Sequence, residues 1–269
     1  MPAAAEETLP ISFGMHTPAK PLREFVRALW YWRGHAVPYS RERILPSGTA
    51  GLIINLASGR TSHSGISGPA SESFLIERTV QDEIIGVQFD VGGAFPFLGF
   101  PCSELHNLGI TLSELCGESK ASELICLLHE ARTMDKKFQA LEKWLMRLLT
   151  RPLEHHPAVS FAMAEFERDP GLLSSADVAE RMGLSQRRFI QLFKDEVGLT
   201  PKLLCRIHRF QQVIRGIEKK TDVDWLDIAL SRGYFDQAHF IHDFQEFSGL
   251  TPRDYLGLRT EYLSHVRVP

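Results

Sequence analysis

The chain has 269 residues, 43% of them hydrophobic, and a formal net charge of −3 at neutral pH. That length admits two ordinary domains, and the apolar share can bury a core, which excludes wholesale disorder. The near-zero average charge gives no hint of a polyanion partner, although it conceals strong local bias. No apolar run reaches the length of a membrane span, so no membrane partner is expected. The opening MPAAAEETLP is too acidic for a secretion signal. Cys102, Cys116, Cys126 and Cys205 form no Cys-x-x-Cys pair, so a reducing, cytoplasmic setting with cysteines packed as small hydrophobes is expected.

Residues 1–20 read as a frayed leader ending in HTPAKP. Residues 22–33, LREFVRALWYWR, carry mixed helix and strand character with dense aromatics. From 41 to about 112 the texture is β-like. GLIINLA (51–57) and EIIGVQF (83–89) are short β-branched runs, while SGISGPAS and DVGGAFPFLGFP are loop-rich. From 113 the apolar spacing turns helical, in SELICLLHEAR and FQALEKWLMRLL. TRPLEHHP (150–157) interrupts the helical period and reads as a linker. The region 158–262 holds no strand signal. The expected fold class is α+β: a β-rich N-terminal domain over 1–150 that ends in helices, a linker at 151–157, an all-α domain over 158–262, and a tail at 263–269.

Two stretches of the all-α domain repeat. Asp177, Ala179 and Gly183 in SSADVAERMGLSQRRFIQLFKDEVGLTP match Asp227, Ala229 and Gly233 in DWLDIALSRGYFDQAHFIHDFQEFSGLTP. After one inserted residue, Phe189, Phe193, Gly198, Thr200 and Pro201 match Phe240, Phe244, Gly249, Thr251 and Pro252. Each identity has a mechanical use. Ser174 and Asp224 are helix caps with Asp at the third helical position. The alanines let a second helix cross closely. Gly183 and Gly233 suit the left-handed end of a first helix. Paired phenylalanines anchor a second helix, Gly198 and Gly249 stop it, and Thr-Pro opens the next. Two helix-turn-helix units result. PKLLCRIHRFQQVIRGI between them places Leu203, Ile207, Phe210, Ile214 and Ile217 on one stripe of a continuous helix, roughly 25 Å long at 1.5 Å per residue. With the width of the units added, that connector can hold two recognition helices about 34 Å, one DNA turn, apart.

GYFDQAHFIHDFQEFSGLTPRDYL closely resembles the second module of the AraC/XylS transcription regulators, and GLSQRRFIQLFKDEVGLTPKLL is similar to the first. The resemblance covers residues 160–257. RERILPSGTAGLIINLA and GVQFDVGGAFPFLGFP resemble an uncharacterised domain found ahead of such modules. The implied function is sequence-specific binding of double-stranded DNA by two recognition helices in successive major grooves, modulated by the N-terminal domain. RNA polymerase, a small-molecule effector and a homodimer are left open as further partners, and no cofactor is expected.

Major-groove reading needs polar side chains near the start of each second helix. In the first unit that helix begins near Ser185. Arg187, Ile190 and Gln191 are expected to face outward, with Gln186 and Arg188 at the edge. Arg187 suits guanine, Gln191 suits adenine, and Ile190, apolar where the family is often polar, suits at most a thymine methyl. In the second unit Asp236 caps the helix and Gln237, Ala238, His239 and His242 face out. Between 181 and 220 ten Lys/Arg stand against three acids. Between 221 and 254 two stand against seven. The first unit and the connector, with Lys194 and Lys202 among their cations, should therefore supply most of the phosphate contacts. No carboxylate or cysteine is seen to complete a metal set with His239 and His242.

In the N-terminal half, His63 and His106 lack the pattern of a metal-holding β-barrel and read as structural. Trp30, Tyr31 and Trp32 read as core rather than as a pocket. The helices of 113–150 are expected to contact the partner domain or a second chain. The stripe Leu141, Trp144, Leu145 and Leu148 suits either a dimer or packing within the domain. The rival reading is a DNA-targeted alkyl-transfer enzyme with a reactive cysteine, for which FPCSEL offers Pro-Cys without an adjacent histidine. A protein-interaction module that has lost DNA contact is the third. No catalytic triad, phosphate-cradling loop or dinucleotide fingerprint is present, so no enzyme is expected.

Overall fold

The computed structural model describes residues 12–34, 41–57, 61, 64–77, 82–168, 174–220, 222–260, 262 and 264–268. The N-terminal half runs through strands β1 (Ser12–His16), β2 (Val26–Gly34), β3 (Arg41–Ile44), β4 (Gly51–Asn55), β5 (Gly65–Ser67), β6 (Phe74–Glu77), β7 (Asp82–Phe89) and β8 (Gly109–Thr111). Helices α1 (Leu112–Cys116), α2 (Glu118–Glu130) and α3 (Met134–Leu148) follow. Six strands form an antiparallel sheet in the order β1-β2-β7-β4-β5-β8.

The ambiguous segment 22–33 resolves into a 3₁₀ turn, Leu22–Glu24, and then the second strand of the sheet. Its lack of clean alternation has a physical cause: both faces are covered, so residues pointing either way are apolar. Leu29 and Tyr31 enter the core beneath α2 and α3. Trp32 is also buried, on the opposite face, and the Trp30 indole lies flat on Gly86, where an added Cβ would come within 2.3 Å of the ring. Leu141, Trp144, Leu145 and Leu148 of α3 are buried in this same core, so the stripe packs within its own domain.

The C-terminal half is helical: α4 (Pro157–Arg168), α5 (Ser175–Arg181), α6 (Gln186–Val197), α7 (Pro201–Ile217), α8 (Trp225–Ser231), α9 (Gln237–Ser248) and α10 (Pro252–Leu258). The repeat is built as its residues dictate. Ser174 and Asp177 form a reciprocal capping box, and Asp224 accepts from the Leu226 and Asp227 N–H groups. Gly183 and Gly233 adopt φ of +66° and +74°. Phe189, Phe193, Phe240 and Phe244 are fully buried. Gly198 and Gly249 end α6 and α9 in the left-handed region, and Thr200 and Thr251 cap helices that begin at proline. On the connector α7, Ile207, Phe210, Ile214 and Ile217 are fully buried, while Leu203 is half-buried.

A seam joins the halves. After α10 the chain returns as strand β9 (His265–Arg267), which pairs antiparallel with β3 in a small sheet ordered β6-β3-β9. The segment set apart as a tail therefore holds a strand, with Val266 buried and His265 Nδ1 3.1 Å from the buried Glu42 carboxylate. Residues following β3 cross the connector. Gln211 Nε2 donates to the Pro46 carbonyl at 2.7 Å, and Arg43 Nη1 donates to the Ser248 carbonyl at 2.7 Å. The segment read as a linker is tied on both sides. The Arg151 guanidinium lies 4.0 Å from the centre of the Phe95 ring, and His155 Nδ1 is 2.9 Å from Glu196 Oε2 on α6. The N-terminal side of the seam comes chiefly from β3, the turn Phe95–Phe97 and the turn Cys102–Leu105, the last two against α6. The helices of 113–150 instead turn their apolar faces to the six-stranded sheet, because that burial is available within the domain.

Candidate nucleic-acid interface

The first unit presents a polar face on a rigid base. Ser185 Oγ accepts the Arg188 N–H and so starts α6. Gln186, Arg187, Arg188 and Gln191 are exposed around that first turn, and Phe189 and Phe193 hold the opposite side in the core. Gln191 Nε2 donates to Asp195 Oδ1 at 2.8 Å, one turn further along the helix. Ile190 lies at the border of this face. It is half-buried against the helical core, because its position on α6 falls between the two phenylalanines and solvent. Lys194 is half-buried toward the N-terminal half, within electrostatic reach of His106. Lys202 is exposed at the start of α7.

The second unit is differently made. Asp236 Oδ1 accepts the His239 N–H at 2.7 Å, leaving Gln237, Ala238 and His242 exposed on the first turns of α9. His239 is half-buried, edge-on to the Tyr234 ring with centroids 5.4 Å apart. Asp243, almost wholly buried, and Glu246 both accept from Arg206 of the connector, at 2.7 and 2.6 Å. Its hydrogen bond to Glu246 most of all, and then the one to Asp243, raise the Arg206 pKa against the opposing effect of burial. Arg209 donates to the Gly233 carbonyl at 3.2 Å and stands over the Tyr234 ring. Two of the ten cations counted between 181 and 220 therefore hold the second unit to the connector instead of facing solvent. A count of charges treats each as solvated, and these are not.

His242, Asp243 and Glu246 offer ligand atoms within 4.8 Å of one another. The expectation that no carboxylate completes a ligand set with the α9 histidines is thus corrected for His242, which has two beside it. Both carboxylates already accept from the Arg206 guanidinium, which offsets one of their two charges. In the N-terminal half His106 Nε2 lies 2.8 Å from Ser71 Oγ, in keeping with a structural role, and burial pushes its pKa down. His63 lies outside the described residues.

The profile of a helix-turn-helix domain matches residues 178–257, which span both units and the connector. Residues 178–257 are an AraC-type helix-turn-helix domain. Ahead of this AraC-type domain, residues 15–111 match a domain of unknown function, DUF6597. The HTH-type transcriptional regulator ArgR of Pseudomonas aeruginosa is 24% identical over 159 residues, covering 57% of this chain and 46% of ArgR. The chain thus spans about half the length of that curated relative. Among solved structures, the C-terminal domain of AraT, a response regulator from Geobacillus stearothermophilus, is 23% identical. It covers 40% of this chain and 91% of its own, with a TM-score of 0.35. ToxT from Vibrio cholerae is 10% identical and covers 93% of this chain and 98% of its own, with a TM-score of 0.42.

The Arg206 and Arg209 contacts escaped sequence reasoning. The one available signal was Asp243 and Glu246, spaced three apart on α9 beside an otherwise apolar helix face.

Proposed function

We propose that the chain is a cytoplasmic, sequence-specific DNA-binding transcription regulator whose AraC-type domain inserts α6 and α9 into successive major grooves. The observation that carries this reading is the first turn of α6. Gln186, Arg187, Arg188 and Gln191 stand exposed at the N-terminus of a helix whose back is locked by two buried phenylalanines. Arg187 reads guanine and Gln191 adenine, while Lys202 neutralises phosphate. Lys194, Gln237, Ala238, His239 and His242 complete the interface, and Ser185 positions α6. Residues 1–150 modulate the reader at 158–262 through the seam. RNA polymerase and a second copy of the chain belong to this reading as further partners.

The reading is not enzymatic. Cys102, the cysteine of the Pro-Cys pair, is buried and its thiol is pushed up to about 12, chiefly by burial, so it does not offer a thiolate. A specific observation favours protein contact as a second role for the second unit. Leu226, Leu230 and Phe235 are 51%, 56% and 87% exposed among Asp222, Asp224, Asp227 and Asp236.

The test is selection of bound sites from a random duplex pool, followed by footprinting of variants. Arg187→Ala is expected to cost about 1–3 kcal/mol of discrimination at one base pair. Lys202→Ala should weaken all sequences alike and flatten the slope of log K against log salt by about 0.9. An unchanged footprint with Arg187→Ala would contradict the assignment of α6.

A further inference from the structure

A cleft of about 270 Å³ opens between the N-terminal half and the AraC-type domain. Arg27 on β2 and Asp90 after β7 line one wall. Glu167 on α4 and His208, Gln212 and Arg215 on α7 line the other. These elements come from both halves, and one of them is the connector that carries both helix-turn-helix units.

The charges in the cleft are not equally committed. Arg27 and Asp90 pair at 2.8 Å and largely cancel. Among the described residues, the side chains of Glu167, Gln212 and Arg215 have no hydrogen bond or ion pair. His208 lies within electrostatic reach of Glu167, Arg215 and Arg27 together, so these groups converge on one place. Burial, the largest influence, pushes the His208 pKa down, which keeps its imidazole neutral near pH 7. One uncommitted cation, Arg215, and two uncommitted carboxylates, Glu167 and Glu24 of the N-terminal wall, thus face a shared space in which His208 is uncharged. Val91 and Met163 add a short apolar stretch to the wall.

This pattern selects a ligand by charge. A dianion would meet Glu24 and Glu167, and a diamine would meet Arg215. A molecule bearing both signs pairs with each. Liquid water takes about 30 Å³ per molecule, so the cleft holds roughly nine waters, or a ligand of about ten non-hydrogen atoms. We infer that the cleft binds a free α-amino acid, its carboxylate on Arg215 beside Arg27, its ammonium on Glu167, and Gln212 bonding between them. A planar guanidinium takes a carboxylate through two parallel hydrogen bonds, which also fixes the orientation of the ligand. Occupancy would tie β2 of the N-terminal half to the connector, so the ligand would favour the arrangement in which the two halves are docked.

The test is thermal denaturation and titration calorimetry of the full chain with the common protein amino acids, one at a time. Succinate and 1,4-diaminobutane serve as single-sign controls. At least one amino acid should bind saturably, one per chain, and raise Tm by about 5 °C or more at hundredfold excess over Kd. Neither control should do so. Arg215→Gln and Glu167→Gln should each weaken that binding tenfold or more. Because both side chains are exposed and unpartnered, neither change should shift the unliganded Tm. Arg215→Lys, which keeps the charge and loses the fork, should bind at an intermediate strength. The inference is overturned if no amino acid binds, if both glutamine variants bind as well as the parent, or if either control binds as tightly. The readout involves no DNA, so it stands or falls apart from the DNA-binding reading.

Discussion

Arg206→Ala separates two accounts of the basic run along α7: cations facing phosphate, or cations holding protein. In the structure Arg206 is the counter-charge of Asp243, whose side chain is 2% exposed. Removing one partner of a buried pair costs about 3–5 kcal/mol, because the remaining charge is left without compensation. The Arg206 side chain is itself 22% exposed. Water can therefore relieve part of the loss, and about 2–3 kcal/mol is expected. The guanidinium also stands 5.0 Å from the centre of the Phe247 ring. Losing that contact adds about 0.5 kcal/mol. At about 2–4 °C per kcal/mol for a chain of this size, Tm should fall by about 5–14 °C. Urea unfolding of Arg206→Ala, Asp243→Asn and the double variant gives the coupling directly, expected at about 1–3 kcal/mol. In DNA titrations across a salt series, Arg206→Ala should leave the slope unchanged, while Lys202→Ala lowers it by about 0.9. A stability cost below about 0.5 kcal/mol, together with a slope lowered by about 0.9, would refute the reasoning and return Arg206 to the phosphate backbone.

Three other perturbations probe the seam and two half-buried histidines. Gly183→Ala should cost about 1–2 kcal/mol, since φ is +66° but an added Cβ meets open space. Gly198→Ala should cost about 1–3 kcal/mol more, because its Cβ would fall 2.6 Å from the Pro69 ring and 3.0 Å from the Cys102 carbonyl. Equal costs in thermal unfolding would mean that α6 does not abut the N-terminal half. Burial lowers the pKa of both His208 and His106. The unfolded chain therefore binds more protons below about pH 6.5, and stability should be fully present above that value and decline as pH falls toward the folded-state pKa values. Denaturant midpoints measured between pH 7.5 and 5 check the sign, and a rise on acidification would contradict it. Deleting residues 264–268 should cost about 2 kcal/mol for the lost burial of Val266 and accelerate hydrogen exchange at Arg41–Ile44, the strand that the segment covers.

The helix-turn-helix units were legible because their signals are local. A cap and its third residue, Ser174 with Asp177, sit within one turn. Gly183 and Gly198 mark places where the backbone turns left-handed, a local demand that glycine meets. Paired phenylalanines one turn apart report burial by spacing alone. The strand at Val26–Gly34 was less legible, since burial on both faces erases the alternation that marks a strand. The strand at His265–Arg267 was not legible at all. It is three residues long, and it bonds to β3 across more than two hundred residues of chain. The same limit applies to the interface. Arg206 and Asp243 are 37 residues apart, and the acidic pair Asp243 and Glu246 does not by itself say which cation it holds. Ile190 was placed outward by helical spacing, although the packing around α6 extends far enough to half-bury it.

Hydroxyl-radical footprinting of the full chain on a selected duplex tests the central claim most directly. Two recognition helices held by one stiff connector should protect two patches on the same face of the DNA, about 10–10.5 base pairs apart. A single protected patch, or two patches on opposite faces, would contradict it.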